Sequence, residues 1–358
     1  MSDNTEMQAE YENYQVKTYL KLSNNQQLNL NMNNISILNL SLYTEKLSHV
    51  IQNFFKVNIL EIEPTIQDIK ENILEEDLII VVDKLVNLYF EEINKGKEVN
   101  ARKKFVLDYL NDYKINLQEI YCWLLNNQTY SNSIYLLGYF NYHGIGIDIN
   151  MQNAFKFYQK ATELENIVAQ YEVANMYMDG EGTDEDYEKA FELTIDLAKR
   201  NYSCGINLLG YCYEHGIGTD VNEQKVFELY ERAADLGNAK GLNNVAYCYE
   251  KGIGTEVNEQ RAFELYDKVA DLGESFGINH LGNCYFNGIG TLVNTQKALE
   301  LYQKAAKLKN DRAQYNLAFM YENGYGTKKN IDNAIYWYKK SAKQGHKNAQ
   351  NKLNNLLN

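Results

Sequence analysis

A Gly-x-Gly motif returns six times in this sequence at a constant interval of 36 residues. Its first glycine is Gly144, Gly180, Gly216, Gly252, Gly288 and Gly324, and its second lies two residues later in every copy. A fixed period of roughly 20 to 50 residues is typical of a solenoid, in which each repeat packs only on its neighbours. The interval therefore predicts an elongated array with an extended surface rather than a globular domain with one central pocket.

Each copy of the motif lies between two predicted helices, which we call helix A and helix B of units 1 to 6. In unit 3, Asn222 is the predicted N-cap of helix B and Gly237 follows that helix. The N-cap asparagine recurs in every unit except unit 2, where Asp186 replaces it. A single proline in the chain also suits consecutive helices, because proline inside a helix is strongly destabilising. The predicted fold is an all-α, right-handed superhelical solenoid of helix-turn-helix units.

The array is predicted to occupy residues 133–345, followed by a C-terminal capping helix at 346–358. Residues 43–132 have helical periodicity but no repeat, with Thr44 beginning the first helix and another running from Glu75 to Lys95. Because a solenoid needs its open end closed, this region is predicted to be a helical N-terminal cap. The asparagine-rich residues 1–42 offer little apolar surface, and we predict that they form a disordered tail.

Composition excludes several kinds of partner. The net charge of −13 and pI near 5.0 argue against nucleic acid, which needs a basic surface. The first residues contain no apolar segment of a signal peptide, and no apolar run is long enough to span a bilayer. We therefore expect a cytoplasmic protein without direct membrane insertion. The oligomeric state stays open.

The residues that could carry chemistry favour structural roles. Three of the five cysteines share one helix A position, which Met176 and Met320 fill in other units, so this position is predicted to be buried and apolar. His143 and His215 share a loop position that other polar residues occupy elsewhere, which predicts that it is solvated, and His280 is predicted on the outer side of its helix A. The glycine loops follow helices and lack the third glycine of a dinucleotide motif. No enzyme activity, catalytic residue, metal site or cofactor is predicted.

The segment LGYCYEHGIGTDVNEQKVFELYERAADLG, residues 209–237, resembles the Sel-1-like repeat, a longer-looped relative of the tetratricopeptide repeat. The resemblance implies a non-enzymatic scaffold or adaptor that binds a protein or peptide. The region beginning EEDLIIVVDKL resembles the segment before the repeats in fungal relatives that often carry a protein kinase domain, although no HRD or DFG motif occurs here. The alternative is therefore a regulatory subunit acting in trans on a protein kinase or on a membrane synthase such as chitin synthase.

Helix A carries polar and aromatic residues at positions i, i+4 and i+7 beside its core face, which lie on one side of a helix. Asparagine amides can bind a peptide backbone and tyrosines can anchor a partner, so we predict that this A-helix stripe binds a partner on the concave surface. The alternative is that these residues only pack against the neighbouring repeat. The candidate residues are Tyr135, Tyr139, Tyr171, Asn207, Tyr211, Asn243, Tyr247, Glu250, Asn279, Asn283, Tyr315 and Phe319.

Overall fold

The computed structural model describes residues 75–357, and regular secondary structure within this range is helical throughout. The disordered tail predicted at 1–42 and the helix predicted from Thr44 lie outside the described residues. Three helices precede the repeats: α1 (Glu75–Asn94), α2 (Val99–Asp112) and α3 (Leu117–Asn126). None of the helices in the described range is long and apolar enough to cross a membrane.

Six helix pairs and one unpaired helix follow. The A helices are α4 (Ser131–His143), α6 (Ile167–Asp179), α8 (Ser203–His215), α10 (Ala239–Lys251), α12 (Ser275–Asn287) and α14 (Asp311–Asn323). The B helices are α5 (Met151–Glu163), α7 (Tyr187–Lys199), α9 (Glu223–Asp235), α11 (Glu259–Asp271), α13 (Thr295–Lys307) and α15 (Ile331–Lys343), and α16 (Lys347–Leu357) closes the array. From α4 onwards each helix packs on the helix before it and the helix after it, which confirms the all-α solenoid of helix-turn-helix units.

The two glycines of each loop have different roles. The first ends helix A in the left-handed region: Gly252 has φ +75° and its N–H donates to the Cys248 carbonyl. The second also has positive φ and faces the preceding unit, where a Cβ on Gly254 would collide with the Glu223 carbonyl oxygen at the start of α9. The same collision recurs in units 2, 3, 5 and 6. The motif therefore combines a helix end with a contact between units.

Helix B contributes a buried tyrosine to the space that a small helix A residue leaves. A Cβ on Gly210 would lie 2.7 Å from the ring of Tyr230 in the same unit. The position shared by cysteine and methionine is buried in units 2 to 6, as predicted. Burial raises the pKa of the Cys212 thiol to about 11, so the sulfur stays protonated inside the core.

All six predicted N-caps of helix B are formed. The side chain of Asn222 accepts a hydrogen bond from the N–H of Lys225, three residues into the turn. Asn150, Asp186, Asn258, Asn294 and Asn330 make the same bond in their units. Each such cap contributes about 1 kcal/mol to helix stability, so the start of helix B is fixed locally in every unit.

Helix α1 is part of the core of the first units. Val82, Leu85, Val86, Tyr89 and Ile93 are buried and join the apolar cluster that contains helices of units 1 and 2. Its ends also make specific contacts: the Asn132 side chain donates to Asp83 at 2.8 Å, and the rings of Phe90 and Tyr202 lie 5.0 Å apart. Burial of several large apolar side chains stabilises α1 on the first units.

Candidate partner-binding surface

Stripe residues from neighbouring units share one face of the solenoid. A cavity of about 350 Å³, which we call the central cavity, brings together side chains from α6, α8, α10 and α12. Its lining includes Tyr171, Asn175, Met178, Asn207, Tyr211, Lys240, Asn243, Asn244 and Phe276. Tyr211 is 40% exposed and is the most accessible predicted anchor in this region. The predicted stripe is thus a continuous surface across units 2 to 4.

The stripe of unit 1 is covered by the chain itself. Tyr135 and Tyr139 are each only 1% exposed. The ring of Tyr89, on α1, lies 6.2 Å from the ring of Tyr135 and 5.0 Å from that of Tyr139. An external partner therefore has no access to these two predicted contact residues while α1 is in place.

Helix α2 closes the same region with a buried arginine. Arg102 donates to the Tyr89 hydroxyl at 3.0 Å and lies 3.7 Å from the carboxylate of Glu172. Burial raises the pKa of Glu172, and Arg102 opposes that rise. Lys103 donates to the His143 carbonyl at 2.7 Å, and burial lowers the pKa of His143 to about 3. The loop position predicted to be solvated is exposed at His215 but half-buried at His143, where α2 packs against the end of α4 through Lys103.

The connection between α1 and α2 supplies N-caps that two A helices lack. The N-cap residues of α8 and α12, Tyr202 and Glu274, make no side-chain capping bond. Instead, the Asn94 side chain accepts from the Cys204 N–H at 3.3 Å, and the Glu98 carboxylate accepts from the Phe276 N–H at 3.1 Å. Free N–H groups at a helix start need an acceptor, so residues 94–98 complete these two helices from outside the repeats.

The same connection crosses the start of α10, which lies between α8 and α12. The Lys95 carbonyl accepts from the Ala239 N–H at 3.0 Å. Gly96 has φ +72°, and a Cβ there would lie 2.5 Å from Asn238 Oδ1 and 2.7 Å from the Lys240 nitrogen. Only glycine fits this close approach, so the N-terminal cap is seated in one register across units 3, 4 and 5.

Asparagines of the stripe form rungs between consecutive A helices. Asn244 Nδ2 donates to Asn207 Oδ1 at 3.1 Å, and Asn316 Nδ2 donates to Asn279 Oδ1 at 3.0 Å. Both bonds join a stripe residue to the residue 37 positions later. Packing against the neighbouring repeat was the alternative role for the stripe. It accounts for one side-chain hydrogen bond of Asn207 and one of Asn279.

One rung is broken. The residue that would pair with Asn243 is His280, and Asn243 Oδ1 has no hydrogen-bond partner although its side chain is buried. The prediction that His280 lies on the outer side of α12 is wrong. Its ring stacks on Tyr266 of the preceding unit at 4.7 Å, and burial lowers its pKa to about 4. The His280 ring lies between units because the tyrosine offers it a flat apolar surface.

The stripe of units 5 and 6 lines a second cavity of about 260 Å³, the C-terminal cavity. Asn283, Tyr315 and Phe319 contribute to it together with Phe286 and Asn316. The Phe286 and Phe319 rings are 6.3 Å apart, and Tyr325 lies 5.5 Å from Phe286. Asn283 also accepts from the Tyr302 hydroxyl at 2.7 Å. This region combines accessible rings with amides, the residue types predicted for partner recognition.

Glu250 has an internal partner. It accepts from the Tyr266 hydroxyl at 3.0 Å and pairs with Lys251 at 2.6 Å. Glu214 and Glu322 accept from Tyr230 and Tyr338 in the same way. Tyr247, one helix turn earlier, stays half-buried with Lys251 at 6.0 Å from its ring centre. The glutamates thus satisfy buried hydroxyls, and the recurring separation of 16 residues between glutamate and tyrosine could have revealed this from the sequence.

Lys240 and Asn244 of the central cavity were not among the contact residues predicted from the sequence. Lys240 lies in the second position of α10, where a lysine is ordinary, and Asn244 follows a stripe asparagine directly. The pairing of positions 37 apart would have identified Asn244, because each rung requires an amide at both ends. Nothing in the sequence around Lys240 indicates that it is half-buried in a cavity.

Comparison with known families and structures agrees with this architecture. The model of the Sel1 repeat family matches residues 131–166, 167–200, 205–238, 239–274, 275–310 and 311–346, which together exceed half of the chain. Five of these matches begin at the first residue of an A helix, so the family repeat is one helix A followed by one helix B. No curated protein matches the sequence.

Among solved structures, a Sel1 repeat protein from Oxalobacter formigenes is 26% identical with a TM-score of 0.55, covering 65% of this chain and 93% of its own. A protective antigen of uropathogenic Escherichia coli strains with an SLR fold is 25% identical, with a TM-score of 0.44 and coverages of 82% and 58%. An immunity protein from Pseudomonas aeruginosa is 19% identical, with a TM-score of 0.43 and coverages of 55% and 75%. The first of these supports the solenoid fold over most of the described helices.

Proposed function

The chain belongs to the Sel1 repeat family, and we propose that it is a non-enzymatic scaffold that binds a protein or peptide partner on the concave A-helix face of units 2 to 6. Sel1 repeat proteins are generally protein-interaction scaffolds. The observation that carries the proposal is the difference in exposure between the units of the stripe. Its first unit is buried under α1, whereas the later units line the central and C-terminal cavities.

The accessible part of the stripe has the composition of a recognition surface. Tyr211 and Phe319 are aromatic side chains with part of their rings open, and such residues dominate the binding energy of protein interfaces. Amides of Asn175, Asn207 and Asn283 surround them and can donate to or accept from a peptide backbone. We assign Tyr211 and Phe319 as anchors, and the asparagines as the groups that orient a partner.

The proposed setting is the cytoplasm, with a partner other than nucleic acid. All five cysteines are free thiols, which suits a reducing compartment. The net charge of −13 repels a phosphate backbone at long range, so it favours a partner with a neutral or basic surface.

Truncation of the two anchors tests this proposal. After the partner has been identified by affinity purification from native cells, its Kd is measured with wild type, Tyr211→Ala and Phe319→Ala. Removing an interface anchor should weaken binding about tenfold or more, because such truncations cost roughly 2 kcal/mol. Circular dichroism should show unchanged helicity, since both rings are partly exposed.

Tyr336→Ala is the matched control. Tyr336 is an exposed tyrosine on α15, a B helix outside the A-helix face, so its removal should leave Kd unchanged. Equal affinities for the wild type, both anchor variants and Tyr336→Ala would remove the A-helix face from the binding site.

A further inference from the structure

The central cavity holds a cation without a counter-ion. Lys240 lines it, is half-buried, and among the described residues has no carboxylate within ion-pair distance of its ammonium group. Burial, followed by the nearby Arg102, lowers the pKa of Lys240 to about 8, although Glu98, Glu172 and Glu274 oppose this shift. At neutral pH the group remains mostly protonated, so an unpaired positive charge faces the cavity.

The other charged groups around Lys240 are already engaged. Glu172 lies beside Arg102, and Glu274 pairs with Lys97 at 2.6 Å. Glu98 accepts from the start of α12 through the Ser275 hydroxyl, at 2.6 Å, and the Phe276 N–H. Asp179, which also borders the cavity, is exposed at the end of α6. The ammonium of Lys240 is therefore the only positive charge among the residues that line this cavity.

The same cavity contains an unused acceptor. Asn243 is 9% exposed, and its Oδ1 atom is buried without a hydrogen bond because His280 replaces the asparagine that completes the other rungs. A buried acceptor without a partner destabilises the folded chain, so such atoms call for a ligand or a water molecule. Asn207 and Asn279, one unit away on either side, have their partners.

We propose that the central cavity binds a carboxylate-bearing segment of a peptide partner, with the carboxylate on Lys240 and a peptide N–H on Asn243. This inference rests on the proposed scaffold function and names the chemistry of its partner. The cavity offers one ammonium, several amides and, at its border, the Asp179 carboxylate, so it suits a single negative charge, whereas a phosphate group calls for several cations or arginines. The neighbouring Asn207 and Asn244 amides, already bonded to each other, form a polar wall for the peptide backbone.

Three short peptides test the chemistry directly on the full chain. Acetyl-Gly-Gly-Gly with a free carboxylate, acetyl-Gly-Asp-Gly-amide and acetyl-Gly-Asn-Gly-amide are titrated while the side-chain NMR signal of Lys240 is followed. At least one carboxylate peptide should shift that signal saturably and bind about tenfold more tightly than the neutral peptide. Binding of only the first indicates a chain terminus, and binding of the second indicates an acidic side chain.

Two variants assign the contacts. Lys240→Met should abolish the preference for carboxylates, and Lys240→Arg should retain it because the charge remains. His280→Asn should weaken the carboxylate peptides severalfold, because the new amide can occupy Asn243 Oδ1. Lys339→Met, at an exposed lysine of the B helix α15, is the matched control and should leave peptide affinity unchanged. Raising the pH above about 8 should also weaken binding, since Lys240 then loses its proton.

Equal binding of all three peptides, or no response of the Lys240 signal, would overturn the proposal and leave Asn243 as a water site. That result is distinct from failure of the scaffold function. A partner that still depends on Tyr211 and Phe319 would keep the scaffold function while removing the carboxylate subsite.

Discussion

Units 1 and 6 share the same helix-turn-helix backbone, but their A-helix faces differ in exposure. In unit 1, Tyr135 and Tyr139 are buried beneath α1. In unit 6, the corresponding Tyr315 and Phe319 are half-buried and line the C-terminal cavity. The repeat therefore determines which positions face the same side, and a segment outside the repeats determines which copies remain open to a partner.

The covering segment reaches the open units through polar contacts at its C-terminal end, in addition to the packing of Phe90 on Tyr202 at the start of α8. Leu85 and Tyr89 are buried with unit 1, whereas Asn94 and Glu98 reach the starts of α8 and α12. Apolar burial holds α1 in place, and the capping bonds align units 3 to 5 with it. The following predictions separate these two contributions.

The largest effect is expected in the covered region. Leu85 is fully buried on α1, so Leu85→Ala should lower the free energy of unfolding by about 2–5 kcal/mol through a cavity in the core. Hydrogen exchange should accelerate in α1, α4 and α5 more than in α14 and α15, because repeats communicate mainly with their neighbours. Uniform acceleration along the array would contradict the division into a covered and an open region.

Ile80→Ala on the same helix is the control for this variant. Ile80 is 64% exposed, so its truncation should change the free energy of unfolding by less than about 0.5 kcal/mol. A loss as large as that of Leu85→Ala would mean that α1 packs differently on the first units.

The second glycine of the loop distinguishes the first unit from the later ones. Gly146 and Gly254 both have φ near +65°, so alanine strains both backbones similarly. A Cβ on Gly146 would lie 3.3 Å from the nearest atom, a side-chain carbon of Leu117, whereas on Gly254 it would collide with a backbone carbonyl. Gly254→Ala should therefore be about 1–3 kcal/mol more destabilising than Gly146→Ala, as measured by urea denaturation. Equal losses would show that backbone strain alone explains the glycines.

A smaller effect is expected at the bridge between the regions. Glu98→Ala removes the acceptor at the start of α12 and should be destabilising by about 1 kcal/mol, with faster hydrogen exchange at Phe276. Glu98→Gln should recover part of the loss, because the amide oxygen can still accept. Glu91→Ala, at an exposed position of α1, is the control. Unchanged exchange at Phe276 would remove Glu98 as a cap of α12.

The repeat pattern was sufficient to predict the solenoid because its signals are local. Glycine at a left-handed helix end and asparagine at an N-cap act within a few residues, and the structure has both where they were predicted. The path of residues 94–98 across three units could not be predicted in the same way. Cys204 lies 110 residues from Asn94, and no periodicity relates Asn94 or Glu98 to the helices that they cap.

The candidate site was predictable as a face but not residue by residue. Helical spacing predicts Asn207, Asn243 and Asn279 on one side, and the first two line the central cavity together. It could not show that Tyr135 is covered, since burial there depends on α1, nor that Asn243 lacks a partner, since this depends on a ring 37 residues later. Both the burial of Tyr135 and the missing partner of Asn243 depend on contacts between different helices, which the periodicity of a single helix does not reveal.

The smallest predicted effect concerns the broken rung between the two cavities. His280→Asn should allow the new amide to donate to Asn243 Oδ1, as Asn316 does to Asn279, and should raise the free energy of unfolding at pH 7 by about 0.5–1.5 kcal/mol. The loss of stacking on Tyr266 acts in the opposite direction, which keeps the net gain small. Asn316→Ala, which breaks an intact rung, is the reciprocal control and should be destabilising.

The pH dependence of His280→Asn distinguishes two effects on stability: the new hydrogen bond to Asn243 and the loss of the titrating His280 ring. Burial lowers the pKa of His280 to about 4, below the usual value near 6.5, so the unfolded chain binds a proton more readily than the folded chain between these values. Stability in the wild type is therefore fully present above pH 6.5 and declines as the pH falls towards 4. Because His280→Asn has no proton to bind at this position, its advantage over wild type should widen over that window. A constant difference from pH 7 to pH 4 would show that His280 takes up a proton as readily in the folded chain as in the unfolded one, and would contradict a ring that is stacked on Tyr266 between units 4 and 5.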